Sequence, residues 1–205
     1  MEEKTKFIIL DVIGVFFLIL GILAIANAVY TRNPAQILYM CYIGLIIIGI
    51  GILTKRSFII MSQIYILAIP LFVWSIDFLY WIIFNQPFLG ITDYFFINPG
   101  FDLGKIISLQ HLFTIPIAIY AASLIGIKRK DAWKLSFIQI ILVYLLVRFI
   151  SPPELNINCV FEPCIDLYPG PSYRLVWFIA IFSMTFITSV LLNYLPFLKI
   201  KNEKK

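Results

Sequence analysis

His111 is the one histidine in this 205-residue chain, and imidazole is the side chain whose ordinary pKa suits a general base near neutral pH. The thiol to set beside it is Cys41, which as a thiolate attacks an acyl carbonyl. Asp77 could orient the imidazole or hold its tautomer, and Ser108 or Thr114 could donate to a developing oxyanion. Trp74, Asp77 and Trp81 recur at i, i+3 and i+7, so they share a helical face, and the two indoles would line a path for a lipid headgroup or acyl chain. Arg148 and Arg174 approach the same region from the ends of later helices. Together these residues spell acyl transfer or ester hydrolysis. A single histidine among scattered carboxylates forms no recognisable metal-ligand set, so neither a metal nor a cofactor is expected.

Each residue also has a plainer reading. Cys41 could be a small packing residue, His111 a hydrogen-bonded core residue, and Asp77 a partner of Arg148. Trp74 and Trp81 could belong to an interfacial aromatic belt, and Arg148 and Arg174 could be external anchors.

The elements that must position these groups are membrane spans. A content of 61% hydrophobic and 13% charged residues, with a mean hydropathy of +0.97, lies well outside the range of soluble domains. A hydrocarbon core of about 30 Å needs roughly 20 apolar residues of helix, and apolar runs at 7–30, 35–54, 57–83, 104–126, 132–150 and 174–197 supply six. Little chain is left over, so residues 1–205 read as one integral membrane domain. The first run is too long for a removed signal peptide and is read as a retained helix. Pro34 suits the first turn of the second span, and Pro70 predicts a kink in the third.

Charge supplies the topology. Lys4, Lys6, Lys55, Arg56, Lys128, Arg129, Lys130, Lys134, Lys199, Lys201, Lys204 and Lys205 fall at alternate ends of the runs, and the intervening ends hold only Arg32, Lys105, Arg148 and Arg174. Lys and Arg at span ends are retained on the cytoplasmic side, which predicts an all-α, six-helix bundle with both termini cytoplasmic, multi-pass in the cell membrane. The net charge of +5 is then matched to anionic headgroups, and nucleic acid is not an expected partner. In this topology Cys41 lies about 9 Å, and His111 about 10 Å, below the external boundary on helical rise. Asp77 falls one to two turns before the external end of its span, so the three share one layer.

Two external loops, 84–103 and 151–173, hold Asp93, Asp102, Glu154, Glu162 and Asp166 among Pro, Gly, Asn and aromatic residues, as expected of ordered loops that form a lid. Cys159 and Cys164 in the second could close a disulfide ring in an oxidising exterior; a metal or redox pair is the rival reading.

Met40-Cys41-Tyr-Ile-Gly-Leu-Ile-Ile-Ile-Gly-Ile-Gly-Ile-Leu-Thr54-Lys55 resembles the cysteine-bearing helix of the YwaF-type integral membrane proteins, whose animal relatives include a transmembrane acyltransferase of ether phospholipids. Gln110-His-Leu-Phe-Thr-Ile-Pro-Ile-Ala-Ile-Tyr120 resembles that family's histidine helix, and Tyr168-Pro-Gly-Pro-Ser-Tyr173 with Leu195-Pro-Phe197 resembles its last loop and helix. The similarity covers roughly residues 35–197. It implies a cysteine nucleophile and a histidine base acting on lipid acyl groups, carried over to Cys41 and His111 only. The chain departs from the family where Gln36-Ile-Leu-Tyr-Met-Cys41 lacks the proline and the polar residue of its Leu-Pro-Leu-(His/Gln)-Leu-Cys context. The androgen-induced transmembrane lipid hydrolases are a more remote likeness, pairing a helix-borne threonine with a histidine.

The sequence thus predicts a membrane-embedded thiol acyltransferase or hydrolase acting on lipid acyl groups from an outward-facing site, with membrane lipids as partners. The alternative is a non-enzymatic carrier or binding scaffold built on the same polar layer. A carrier is expected to show repeat symmetry, and none is evident here.

Overall fold

Helix α1, Glu3–Tyr30, buries Leu10, Gly14, Phe17, Gly21, Ala24 and Ala28, a seam stepping alternately by four and three residues. Small residues in that seam let a second helix come close. The neighbour is α2, Met40–Leu53, where a Cβ added to Gly49 would stand 3.0 Å from the carbonyl oxygen of Gly14. Off the seam α1 stays apolar, with Ile8, Val12, Ile19, Ile22 and Val29 all exposed. A soluble amphipathic helix would be polar there, whereas a helix apolar all round suits a lipid surround.

The same inversion holds throughout the computed structural model, which describes residues 2–97, 100, 102–165, 170 and 172–194. Large apolar side chains such as Phe72, Ile83, Phe149 and Leu175 point outward, while Ser62, Gln63, Asp77, Gln110, Thr114, Ser136 and Thr185 are buried. Polar groups gathered inside and apolar groups facing out are what a bilayer selects. The described residues contain helices and turns but no strand. Asp166, Lys199, Lys201, Lys204, Lys205, part of the Tyr168–Tyr173 stretch and all of 195–197 lie outside the described residues.

The remaining elements are α3, Ser57–Phe84; α4, Asp93–Phe96; α5, Leu103–Ser108; α6, Thr114–Ile125; α7, Trp133–Ile150; and α8, Tyr173–Tyr194. By length and composition α1, α3, α7 and α8 can each cross a membrane. Residues 103–125 make a fifth candidate only if a pair bent by 52° counts as one span. At 14 residues α2 rises about 21 Å, short of a full hydrocarbon core.

Two expectations are therefore revised in detail. The second span does not run unbroken from 35: a 3-10 turn, Pro34–Leu38, is followed by Tyr39 at φ −58°, ψ 126°, and the α-helix begins only at Met40. The fourth is interrupted by a 3-10 turn, Leu109–Leu112. Pro116 favours that break, because it has no N–H for the Leu112 carbonyl and its ring crowds that carbonyl. Pro70 lies inside α3, whose helical hydrogen-bonding runs from Ser57 to Phe84.

Helix α3 is the central post, packed against α2, α6, α7 and α8. It is tied to α7 by a reciprocal amide pair, Gln63 Nε2 to Gln139 Oε1 at 2.7 Å and Gln139 Nε2 to Gln63 Oε1 at 3.0 Å, beside Ser136 Oγ donating to the Ser62 carbonyl at 2.8 Å. Lys55 pairs with Asp11 at one end of the bundle, the end that also brings Arg56 beside Lys128 and Arg129. The opposite end carries the loops that cover the site.

Candidate functional site

The break before α6 decides what His111 can do. The imidazole lies in the 3-10 turn, stacked on Trp74 with ring centroids 4.6 Å apart, and its Nδ1 is 2.5 Å from the Ser108 carbonyl oxygen. A carbonyl only accepts, so Nδ1 carries the proton and donates, leaving Nε2 with its lone pair as the basic nitrogen. Ser75 anchors the turn to α3, donating to the Leu71 carbonyl at 2.7 Å and reaching the His111 carbonyl at 3.4 Å. The partner that orients the imidazole is thus the Ser108 carbonyl on its own turn.

Asp77 serves a different structure. Its carboxylate accepts from Leu89 N at 2.6 Å, Thr92 N at 2.7 Å and Thr92 Oγ1 at 2.7 Å, all in the loop after α3. Trp81 and Trp74, above and below it on the same face, hold that loop as well: Trp81 Nε1 donates to Asp93 Oδ1 at 3.1 Å, and Trp74 Nε1 to the Tyr94 hydroxyl at 3.2 Å. The shared face read from the i, i+3, i+7 spacing is real, and it seats the loop that lies over the site. Nor does Asp77 pair with Arg148, whose guanidinium stands over the Phe161 ring at 4.7 Å. Arg174 is exposed in the first turn of α8.

Tyr94 links the parts. Its hydroxyl accepts from Trp74 and also hydrogen-bonds the Ser108 side chain, which in turn donates to the Gly104 carbonyl at 2.9 Å. Burial raises the pKa of the Tyr94 phenol and a nearby charge on Cys41 would raise it further, so the group stays protonated and able to donate. Cys41 sits half-buried in the first turn of α2, beside the cluster of Ala24, Tyr42 and Ile107 with Tyr39. No hydrogen bond joins Cys41 to His111 among the described residues. Thr114 Oγ1 is engaged locally, with the Gln110 carbonyl at 2.8 Å and Gln110 Oε1 at 2.6 Å. Tyr94 is thus a hydroxyl, not singled out by the sequence, that interacts with both Cys41 and the Ser108 side chain beside the His111 turn.

The start of α2 is fixed from far along the chain. Asn158 Oδ1 accepts from Met40 N at 2.9 Å and Asn158 Nδ2 donates to the Leu38 carbonyl at 2.8 Å, pairing both free backbone groups at the break before Cys41. The Asn158 carbonyl in turn accepts from Trp177 Nε1 at 3.0 Å, and Tyr173 OH donates to the Cys159 carbonyl at 2.6 Å. Cys159 and Cys164 are joined as a disulfide, closing the small ring next to Asn158. Among the described residues no group of three or more His, Cys, Asp or Glu is placed to hold a metal ion.

Sequence reasoning missed Tyr94, Thr92 and Asn158. Tyr94 and Thr92 fall in a loop rich in aromatic and turn residues, with no period to single them out. The only mark on Asn158 is its residue type, which tolerates the left-handed conformation found there, φ 55°.

The fold and site define an all-helical protein with apolar helices fit to cross a membrane and a polar layer capped by two loops. Comparison with family models, with curated proteins and with solved structures finds no match.

Proposed function

We propose that this chain crosses the membrane six times with both termini cytoplasmic, and that it is a thiol-dependent acyltransferase or hydrolase of membrane-lipid acyl groups. The short α2 and the bent α5–α6 segment are then the second and fourth crossings, made in part by non-helical turns covered by the external loops. In support of the topology, the basic residues at the Lys55 and Lys128 turns fall at one end of the bundle and the acidic, disulfide-bearing loops at the other. Cysteine-accessibility scanning is expected to label a residue introduced at Asn156 from outside and one at Lys130 from inside; the reverse pattern would sink the assignment.

The observation that carries the enzymatic reading is the His111 tautomer. With Nδ1–H held by the Ser108 carbonyl, Nε2 is available to take the Cys41 thiol proton as the thiolate attacks an acyl carbonyl, and later to return a proton to the leaving alcohol or activate the acceptor. The Tyr94 hydroxyl, near Cys41, is suited to donate to the oxyanion once its one proton turns away from the Ser108 oxygen. Trp74 positions both groups by stacking on one and bonding the other. In this reading Cys41 and His111 close to hydrogen-bond distance when a substrate enters, since such contacts often tighten only in the complex.

A second reading, a binding or scaffold module, draws on Asp77, Trp74 and Trp81 being engaged with the loop. The two part on one experiment. Purified protein in lipid, treated with a lipid-like acyl probe that reacts with thiols, is expected to be acylated at Cys41, and Cys41→Ala to abolish the labelling. No labelling in the intact protein would leave the scaffold reading standing.

A further inference from the structure

We propose that the Cys159–Cys164 disulfide is a redox-sensitive latch: closed, it clamps the loop between α7 and α8 onto the start of α2, and its reduction by a dithiol releases that clamp and opens Cys41 to water. The clamp is one side chain. Asn158 accepts from Met40 N and donates to the Leu38 carbonyl, spanning the break at Tyr39 and ending one residue before Cys41. Cys159 is the next residue along, so the two bonded cysteines hold the loop that bears on the helix start of the free one.

The loop holds Asn158 in place through an uncommon backbone. Asn158 at φ 55° and Cys159 at φ 57° are both left-handed, a conformation that asparagine tolerates and cysteine rarely adopts. Cys159 is kept there by its bond to Cys164 and by the Tyr173 hydroxyl, which donates to its carbonyl at 2.6 Å. The ring that the bond closes is braced by Asn156, whose Oδ1 accepts from Phe161 N at 3.0 Å and Glu162 N at 3.2 Å and whose Nδ2 donates to the Glu162 carbonyl at 2.9 Å. Cutting the bond frees Cys159 to return to an ordinary φ, and that rotation, next to Asn158, draws the amide away from Leu38 and Met40. Ile157 and Val160, both fully buried, keep the loop seated, so the change stays local. Met40 is buried too, and its N–H and the Leu38 carbonyl then need water as partners, which brings solvent to the turn that presents Cys41.

The chemistry is thiol–disulfide exchange. Cys164 is exposed and Cys159 half-buried, so one thiolate of the dithiol attacks Cys164 Sγ and expels Cys159 as a thiolate. The second thiolate of the reductant then attacks the reductant's own sulfur in the mixed disulfide, closing the reductant into a cyclic disulfide and expelling Cys164. Two electrons pass to the protein, and its two thiolates take up two protons. In oxidising surroundings the latch stays closed. A disulfide of this kind acts by biasing a local element between two states. As a control of acyl transfer the latch rests on the thiol mechanism proposed above, whereas its opening is read from the accessibility of Cys41 with no acyl chemistry involved.

The test uses the full chain in a neutral detergent, with the disulfide intact, after reduction with dithiothreitol and desalting, and as Cys159→Ser/Cys164→Ser. A charged maleimide gives the alkylation rate of Cys41, read by mass spectrometry of the peptide that carries it, and hydrogen–deuterium exchange reports on Met40. Alkylation at least about tenfold faster is expected in both latch-open forms, with protection lost at Met40 and kept in the middle of α3. Asn158→Ala with the disulfide intact is expected to be as fast, and reducing that variant to add less than about twofold, because latch and side chain act through one contact. Equal Cys41 rates with the latch closed and open, the full acceleration on reducing Asn158→Ala, or protection lost throughout α3 overturns the proposal. These differences in a protein that takes no acyl probe would uphold the latch and overturn the acyl-transfer reading alone.

Discussion

Asp77→Ala is expected to lower the stability of the protein by about 3 kcal/mol and to release the loop over the site, since it strips a buried carboxylate of three donors at once. Leu89 N, Thr92 N and Thr92 Oγ1 point at the carboxylate from a loop that α3 also holds through hydrogen bonds from Trp74 and Trp81 and through ring contacts of Phe78 and Tyr80. Hydrogen bonds to a charged group contribute about 1.5–3 kcal/mol each, and a buried donor left unpaired costs about 1–3 kcal/mol, so relaxation and water entry must be large before the total becomes small. Asp77→Asn keeps one acceptor oxygen but turns an amide N–H₂ toward another donor, so it is expected to recover only part of the loss. Thermal unfolding in lipid gives the magnitude. Hydrogen–deuterium exchange gives the location, with protection expected to fall at Leu89 and Thr92 before it falls in α3. Unchanged protection there would mean that the indoles and the ring contacts of Phe78 and Tyr80 hold the loop without the carboxylate.

His111→Ala is expected to slow acylation of Cys41 by a thiol-reactive acyl probe about a hundredfold or more, the usual contribution of a positioned general base. The same substitution removes one stacked ring from Trp74 and one donor from the Ser108 carbonyl, which together are worth about 1–2 kcal/mol of stability. The two effects can be separated. A protein that keeps most of its melting temperature yet loses the labelling rate has lost a base, whereas one that loses stability and keeps the rate has lost only a packed ring. In the second outcome the imidazole is a structural member of the Trp74 stack, and the thiol chemistry proposed for Cys41 goes with it. His111→Gln adds a control of similar length that can still donate to the Ser108 carbonyl but supplies no basic nitrogen.

How much of this could be read from the chain depends on how local the controlling physics is. Apolar runs, the polar residues inside them and the alternation of Lys and Arg at their ends are properties of short stretches, so the sequence by itself determined that the protein is helical and suited to a membrane. The face shared by Trp74, Asp77 and Trp81 follows from helical repeat alone. Pro116 is a local mark of the break carrying His111, but the apolar run 104–126 hid it, and Pro70 shows that proline alone does not decide such a break.

Partners, however, belonged to the tertiary structure. Periodicity says which side of a helix faces inward and is silent on what stands opposite, so Asp77 could be matched on paper with His111 or Arg148 while the folded chain gave it Leu89 and Thr92. The clearest case is Asn158, which reaches 118 residues back to the Met40 amide and fixes the start of the helix that presents Cys41. A free backbone donor must find an acceptor once it is buried, and which acceptor arrives is settled only when distant loops pack together.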